Sequence, residues 1–166
     1  MTARLPSALI VCAALLAGCG FQIRDAARLP PQMANTQMVI DDESSTLARR
    51  VRLMLEQSGV RFVAGDQATA FLEIPENQVV TEVLTIADNA RVREYRVTHT
   101  VKFRLTDARG QELIGWQTLR QTREISFDEQ KILAASREQE YLRKDLAETL
   151  ARLLVARLET IYVSQG

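Results

Sequence analysis

Several residue types and motifs that support chemistry are scarce or missing in this sequence. Among its 166 residues there are two cysteines and one histidine, and 21 basic side chains are balanced by 21 acidic ones. The chain therefore lacks the strongly basic character of a nucleic-acid-binding domain, and we expect no nucleic-acid partner. It has no P-loop, no dinucleotide fingerprint, no G-x-S-x-G elbow and no H-E-x-x-H pair. These absences predict a protein that is not an enzyme and holds no metal, while serine or carboxylate catalysis outside a known motif stays open.

The apolar stretch near the N-terminus is short. It covers residues 5–16 and follows a single charge, Arg4. A helix that crosses a bilayer needs roughly 20 apolar residues, so this stretch is typical of a secretory signal peptide. It ends in Leu16-Ala17-Gly18-Cys19, which resembles the lipobox of bacterial lipoproteins. That resemblance implies cleavage before Cys19 and a diacylglycerol on its sulfur; the alternative is a plain secreted protein.

The lipobox divides the chain into three segments. We predict a lipoprotein signal peptide at residues 1–18, a lipidated N-terminal arm at 19–37 and a single domain at 38–166. Cleavage leaves 148 residues (166 minus 18), a length typical of one domain. Because Cys12 leaves with the signal peptide and the thioether occupies Cys19, we expect no internal disulfide and no cofactor apart from the covalent lipid.

Hydrophobic periodicity predicts a strand, a helix, several further strands and a second helix. The first helix follows Ser44-Ser45, whose hydroxyls can cap it. Pro75 should create a bulge or an edge position, and residues 95–105 alternate apolar and polar side chains, as in a strand with one covered face. After a loop at about 128–136, the last helix carries a leucine stripe at 142–158. This order predicts an α+β fold, a two-layer sandwich with two helices packed on one face of a mainly antiparallel four-stranded sheet.

Three features that could mark a site have structural interpretations. His99 lies on the apolar side of its predicted strand, so we expect a neutral, hydrogen-bonded core histidine and not a base or a metal ligand. The acidic run Asp41-Asp42-Glu43 precedes the first helix, where negative charge is favourable, and a helix-start role is preferred over a cation site. The leucine stripe could hold a partner helix, but we expect it to form the core.

Basic side chains recur along the predicted strands. The set consists of Arg91, Arg93, Arg96, Lys102, Arg104, Arg120 and Arg123. One interpretation is a solvated sheet face. The other is a face that meets an anionic, phosphorylated glycolipid, because guanidinium groups bind phosphate oxygens in pairs. The sequence leaves both interpretations open.

A series of short motifs in a fixed order indicates a family. The motifs are Gly18-Cys19-Gly20-Phe21, Ile23-Arg24-Asp25, Leu29-Pro30, Glu94-Tyr95, Ser126-Phe127-Asp128 and Arg137-Glu138-Gln139-Glu140. In this order and spacing the chain resembles the LptE family, outer-membrane lipoproteins that partner the lipopolysaccharide translocon LptD. The resemblance implies two helices on a four-stranded sheet, a position as a plug inside the LptD β-barrel, assistance to barrel assembly, and binding of lipopolysaccharide.

The resemblance also implies candidate residues and a location. The family places its basic lipopolysaccharide contacts in the turn before the Glu94-Tyr95 strand and in the loop before the second helix. This chain has Asp88-Asn89 and Ala135-Ser136 there, so neighbouring basic residues become the candidates. They are Arg91, Arg93, Lys131 and Arg137. We expect a location at the outer membrane, anchored in its lipid through Cys19, on the periplasmic side and in the barrel lumen. The alternative is an auxiliary lipoprotein facing the periplasm that scaffolds another envelope transport system without binding glycolipid.

Overall fold

Five strands and two helices make up the described part of the chain. The structure, a computed structural model, describes residues 29–86, 92–126 and 132–165, and gives the backbone alone at 85–86, 92–93, 132–136 and 162–165. The elements are β1 (Asn35–Ile40), α1 (Thr46–Gln57), β2 (Arg61–Phe62), β3 (Ala70–Ile86), β4 (Val92–Asp107), β5 (Glu112–Ser126) and α2 (Ile132–Gln165). Within these ranges, no helix has both the length and the apolar composition needed to span a bilayer.

The strands form one mixed sheet in the order β2-β1-β3-β4-β5. β1 runs parallel to both β2 and β3, with Thr36 opposite Phe62 and Ala70, whereas β3, β4 and β5 are antiparallel neighbours. The predicted α+β class with two helices is therefore confirmed, but the prediction of four mainly antiparallel strands is wrong in detail. The difference arises because α1 carries the chain from β1 to β2 as a crossover, and a crossover joins parallel strands.

Pro75 lies inside one long strand and does not divide two. The pairing of β3 with β4 shifts register between Glu73 and Glu76, which confirms the predicted bulge. Proline has no backbone N–H to donate to a neighbouring strand. A register shift, where regular pairing is interrupted, is therefore a position in a strand that can accommodate proline. The bulge allows β3 to continue as one strand of 17 residues.

The start of α1 has the predicted capping chemistry. Ser45 Oγ accepts a hydrogen bond from the backbone N–H of Ala48 at 3.2 Å. The carboxylate of Asp42 accepts bonds from the N–H of Ser44 at 2.9 Å and from its hydroxyl at 2.6 Å. The hydroxyl bond is the largest cause of a lowered pKa at Asp42. The acidic run thus contributes to the helix start, as expected from sequence.

Both helices cover the same side of the sheet, and the core lies between the two layers. Its largest fully buried side chains are Phe103, Met33, Leu47, Leu55, Leu72, Ile74, Leu105, Leu146, Leu150, Leu154, Leu158 and Val51. Leu146, Leu150, Leu154 and Leu158 of the leucine stripe are therefore core, as predicted, whereas Leu153 is 39% exposed. The predicted loop to about residue 136 is wrong, because α2 already begins at Ile132. The side chain of Met33, which precedes Met38 in the sequence, is also buried in this core.

Candidate functional site

The predicted site residues are only partly within the described residues. Cys19, Arg91 and Lys131 lie outside them, so the lipidation and two of the four glycolipid contacts stay predictions. Arg93 lies near the beginning of β4, and Arg137 is exposed near the beginning of α2. β4 begins where β5 ends, since Glu94 pairs with Ser126, and α2 starts six residues later. Arg93 and the start of α2 therefore share one end of the sheet.

The side of the sheet without helices carries alternating polar side chains, and we call it the open face. On β4 the alternation predicted from sequence is confirmed, because Val97, Val101 and Phe103 are buried under the helices. The intervening polar residues point the other way and lie opposite polar partners on β3 and β5. The open face comprises Glu73, Gln78, Val80 and Glu82 on β3; Arg96, Thr98, Thr100, Lys102 and Arg104 on β4; and Trp116, Thr118, Arg120, Thr122 and Glu124 on β5.

Carboxylates from both neighbouring strands neutralise Arg96. Its Nη2 lies 2.7 Å from Oε1 of Glu124 and its Nη1 lies 3.8 Å from Oε2 of Glu82. The Nε atom of the same guanidinium also donates to Oε1 of Glu124 at 3.0 Å, so one carboxylate oxygen accepts two hydrogen bonds from Arg96. One arginine thus ties three strands together at this end of the open face.

Arg104 does the same toward the opposite end of the face. Its Nη2 lies 2.9 Å from Oε2 of Glu73 on β3, and its Nη1 lies 3.8 Å from Oε1 of Glu112 on β5. The hydrogen bond with Glu73 raises the pKa of Arg104. The guanidinium also lies 4.6 Å from the ring centroid of Trp116, and the ammonium of Lys102 lies 4.9 Å from that centroid. Two of the basic residues predicted for this surface are therefore already paired within the sheet.

A cleft on the helix side collects a different set of residues. It has a volume of about 400 Å³ and opens between the start of α1, the middle of the β3–β4 pair and the second quarter of α2. Its walls are formed by Ser45, Thr46, Leu47, Arg49, Asn77, Val79, His99, Glu140, Arg143, Lys144 and Ala147. We call it the basic cleft, because its lining has three cationic side chains and one carboxylate.

His99 forms part of the floor of the basic cleft. Its side chain is 3% exposed, and its Nε2 lies 2.8 Å from Oδ1 of Asn77. Burial lowers the pKa of His99, which favours the neutral ring predicted from sequence. With the amide oxygen of Asn77 as acceptor, Nε2 carries the proton and Nδ1 is left as a bare acceptor. Among the described residues Nδ1 has no hydrogen-bond partner.

The cations of the basic cleft come from both helices. Arg49 lies in the first turn of α1 and donates to the carbonyl oxygen of Ser44. Arg143 and Lys144 are consecutive, exposed residues of α2, and Arg143 makes a 3.4 Å contact with Oγ1 of Thr81. The Ser45 cap and the acidic run Asp41-Asp42-Glu43 already compensate the start of α1, so the positive charge of the basic cleft comes from these three side chains.

Sequence reasoning missed the basic cleft, because its walls come from four separated stretches of chain. Residues 45–49, 77–79, 99 and 140–147 have no common motif. The one available signal was His99, a lone histidine on an apolar strand face. In the described ranges no group of three or more His, Cys, Asp or Glu side chains is placed to hold a metal. The chemistry that both surfaces offer is polar and ionic binding.

Comparisons with known proteins indicate a family and a fold. A model of the LptE family, described as lipopolysaccharide-assembly, matches residues 34–158. The LPS-assembly lipoprotein LptE of Pectobacterium atrosepticum is 29% identical over 158 residues, which cover 91% of this chain and 82% of that protein. Its namesake in Photorhabdus laumondii is 25% identical over 149 residues, 88% of this chain and 80% of that protein. The crystal structure of the rare lipoprotein B of Shewanella oneidensis has the same fold, with a TM-score of 0.67 at 23% identity and coverage of 79% and 98%.

Proposed function

The chain belongs to the LptE family of lipopolysaccharide-assembly proteins, and from this premise we propose that it is a non-enzymatic subunit of the lipopolysaccharide translocon. A lipid on Cys19 anchors it to the outer membrane. It plugs an LptD-like β-barrel, assists the assembly of that barrel, and binds lipopolysaccharide during insertion. The observation that carries the proposal is the family match, because residues 34–158 include every strand of the sheet, all of α1 and most of α2.

The open face supports a position inside a barrel. The interiors of outer-membrane barrels are polar, and a surface that is inserted there benefits from polar groups whose charges are already compensated. Arg96 and Arg104 are each neutralised by two carboxylates from neighbouring strands. Lys102 and Arg120 on the same face have no ion pair with a described residue, so the charge of the open face is compensated only in part. In this proposal the open face lies against the barrel wall.

The size of the domain restricts the barrel that can hold it. A folded chain of 148 residues, the length left after cleavage, has a radius of gyration of about 15 Å. Small barrels are filled by their own side chains, whereas barrels of 22 or more strands accommodate plugs. The partner in this proposal is accordingly a large barrel.

Lipopolysaccharide binding is assigned to four basic residues that the family resemblance points to. Arg91, Arg93, Lys131 and Arg137 are the candidates, and phosphate groups are the part of a glycolipid that guanidinium and ammonium groups recognise. Arg137 is the candidate whose side chain is both described and exposed. Replacing it by glutamine removes one charge-assisted contact and should weaken binding by about tenfold. Arg157→Gln, an exposed change further along α2, is the matched control.

Purification of the full-length protein from outer membranes in mild detergent tests the partner. We expect a large β-barrel protein to co-elute, and mass spectrometry of the mature N-terminus should identify a lipid-modified Cys19. A free monomer in the same fractions would contradict the proposal. The anchor is tested separately by Cys19→Ser produced without the barrel, which should leave the membrane; retention there would contradict the role of the lipid.

A version that lacks residues 1–19 separates the proposal from its alternative. All the core residues that the structure describes lie downstream of this segment, so the shortened version keeps each of them. We expect this version to bind lipopolysaccharide in solution. If it does not, while the full-length protein still co-elutes with an envelope transport complex, an auxiliary scaffold without glycolipid binding is the better assignment.

A further inference from the structure

One residue that lines the basic cleft, His99, carries a buried hydrogen-bond acceptor that no described residue uses. Nδ1 of His99 has no partner among the described residues although the side chain is 3% exposed. Buried polar atoms are nearly always paired, and an exception calls for a water, an ion or a ligand. Because Nε2 donates to Asn77, the neutral ring can only accept at Nδ1. A ligand that completes this site must therefore present a donor, such as a hydroxyl group, to Nδ1. Because less than 1 Å² of that atom is accessible, the residues around His99 must shift to admit the donor.

The charges around His99 favour an anion next to that donor. Arg143 and Lys144 lie side by side on α2, and Arg49 approaches from the start of α1. The contact of Arg143 with Thr81 is long, at 3.4 Å, and leaves most of the guanidinium available. These groups come from two helices and line one concave space.

The remaining lining residues suit a sugar more than a bare anion. Glu140 accepts hydrogen bonds and repels a lone phosphate, whereas a saccharide hydroxyl can donate to it. Leu47, Val79 and Ala147 supply apolar wall on which the C–H face of a sugar ring can pack. The volume of about 400 Å³ lies within the range of small-molecule sites and is enough for a phosphorylated monosaccharide.

We propose that the basic cleft binds a phosphorylated saccharide, with the phosphate on Arg143, Lys144 and Arg49 and a hydroxyl donating to Nδ1 of His99. Two sources share this chemistry: the phosphorylated sugar head of a glycolipid, and a free sugar phosphate. The glycolipid source rests on the function proposed above, since lipopolysaccharide is the molecule whose assembly the family serves. The residues that line this site do not include the predicted contacts Arg91, Arg93, Lys131 and Arg137.

Nitrogen NMR of the imidazole tests the site directly. His99 is the single histidine of the chain, so its two ring nitrogens give unambiguous signals in full-length protein labelled at histidine and held in detergent micelles. Glucose 1-phosphate should shift the Nδ1 signal, while glucose alone and inorganic phosphate at equal concentration should shift it less. No shift with glucose 1-phosphate overturns the site, and an equal shift with inorganic phosphate overturns the saccharide part.

A pair of matched double variants tests the cations. R143Q/K144Q removes two charges that line the basic cleft, and R152Q/R157Q removes two exposed charges of the same helix outside it. All four positions are exposed, so circular dichroism should show both variants folded. We expect glucose 1-phosphate to bind R143Q/K144Q at least about tenfold more weakly and R152Q/R157Q with unchanged affinity. Equal affinities for the two variants would overturn the proposal.

Competition identifies the source. Intact lipopolysaccharide should displace glucose 1-phosphate from the full-length protein, and phosphatase-treated lipopolysaccharide should not. If neither displaces it, the site stands with a free sugar phosphate as ligand, and the glycolipid source is overturned. Co-elution of the barrel is measured on the same R143Q/K144Q preparation. Retained co-elution with lost sugar binding separates the two roles, and absent co-elution in the unmodified protein counts against the proposed function alone.

Discussion

The open face and the basic cleft both carry arginines, but their charges are in opposite states. On the open face, Arg96 and Arg104 are each paired with carboxylates of both neighbouring strands, at 2.7 to 3.8 Å. In the basic cleft, Glu140 is the one carboxylate among three cations, and a buried histidine has an unused acceptor. The number of arginines on a surface therefore does not indicate whether that surface can bind an anion. What indicates it is whether each arginine is already paired with a carboxylate.

The two surfaces depend on one shared core, and breaking it should have the largest effect. Phe103 is a residue of β4 whose side chain is fully buried in the core. Its two neighbours in the sequence, Lys102 and Arg104, belong to the open face. Phe103→Ala should lower the free energy of unfolding by about 3–5 kcal/mol, through lost burial and the cavity left behind. Urea unfolding measures this, with Thr118→Ala on the exposed face as control, expected within about 0.5 kcal/mol. A loss below 1 kcal/mol for Phe103→Ala would contradict the assigned core.

The hydrogen bond below the basic cleft should have the next largest effect. Asn77→Ala removes the partner of Nε2 of His99 and leaves both ring nitrogens without a protein partner. Burying an additional unpaired polar atom should cost about 1–3 kcal/mol of unfolding free energy. The measurement is again urea unfolding. An unchanged stability would mean that the ring is solvated and that the basic cleft has no buried acceptor.

A pair of single substitutions sharpens the contrast between the surfaces. Arg104→Gln leaves Glu73 and Glu112 without their cation, so it should lower stability slightly, since exposed ion pairs contribute little. Arg143→Gln removes a charge next to Lys144 and should leave stability unchanged within about 0.5 kcal/mol, or raise it slightly. Unfolding midpoints in urea compare the two. If Arg143→Gln lowers the unfolding midpoint more than Arg104→Gln does, the assignment of Arg104 as the paired arginine and Arg143 as the unpaired one is contradicted.

The smallest expected effect is the pH dependence that His99 creates. Burial holds its pKa below the ordinary value of 6.5, so the unfolded chain binds the proton more readily than the folded one. The contribution of His99 to stability is therefore complete above pH 6.5 and decreases as the pH falls toward the folded pKa. The ring signals of the single histidine report that pKa by NMR titration. A value above 6.5 would contradict a neutral, buried ring.

Features with local causes could be predicted from the sequence. The cap at Ser45, the register shift at Pro75 and the alternation along β4 each depend on a few consecutive residues. The same holds for the turn between β4 and β5, where Asp107 accepts the N–H groups of Arg109 and Gln111 at 2.8 Å. Asp is typical of turns, because its side chain can accept hydrogen bonds from backbone N–H groups a few residues later.

Features that depend on long-range pairing could not be predicted. The parallel placement of β1 between β2 and β3 joins Thr36 to residues that follow it by 26 and 34 positions, and no local pattern specifies it. For the same reason the sequence left the arginine-rich face open to two interpretations. The carboxylates that neutralise Arg96 and Arg104 lie on other strands. The basic cleft combines four such stretches, so its residues could be recognised as a group only in the folded chain.

Site-specific photo-crosslinking in living cells tests the central claim most directly, by placing one probe at Thr118 on the open face and another at Arg143 in the basic cleft. Both positions are exposed, so the probes should not disturb folding. The account predicts that the Thr118 probe crosslinks to a large outer-membrane barrel protein and that the Arg143 probe crosslinks to lipopolysaccharide. Lipopolysaccharide at Thr118 with barrel protein at Arg143, or no crosslink at either position, would contradict it.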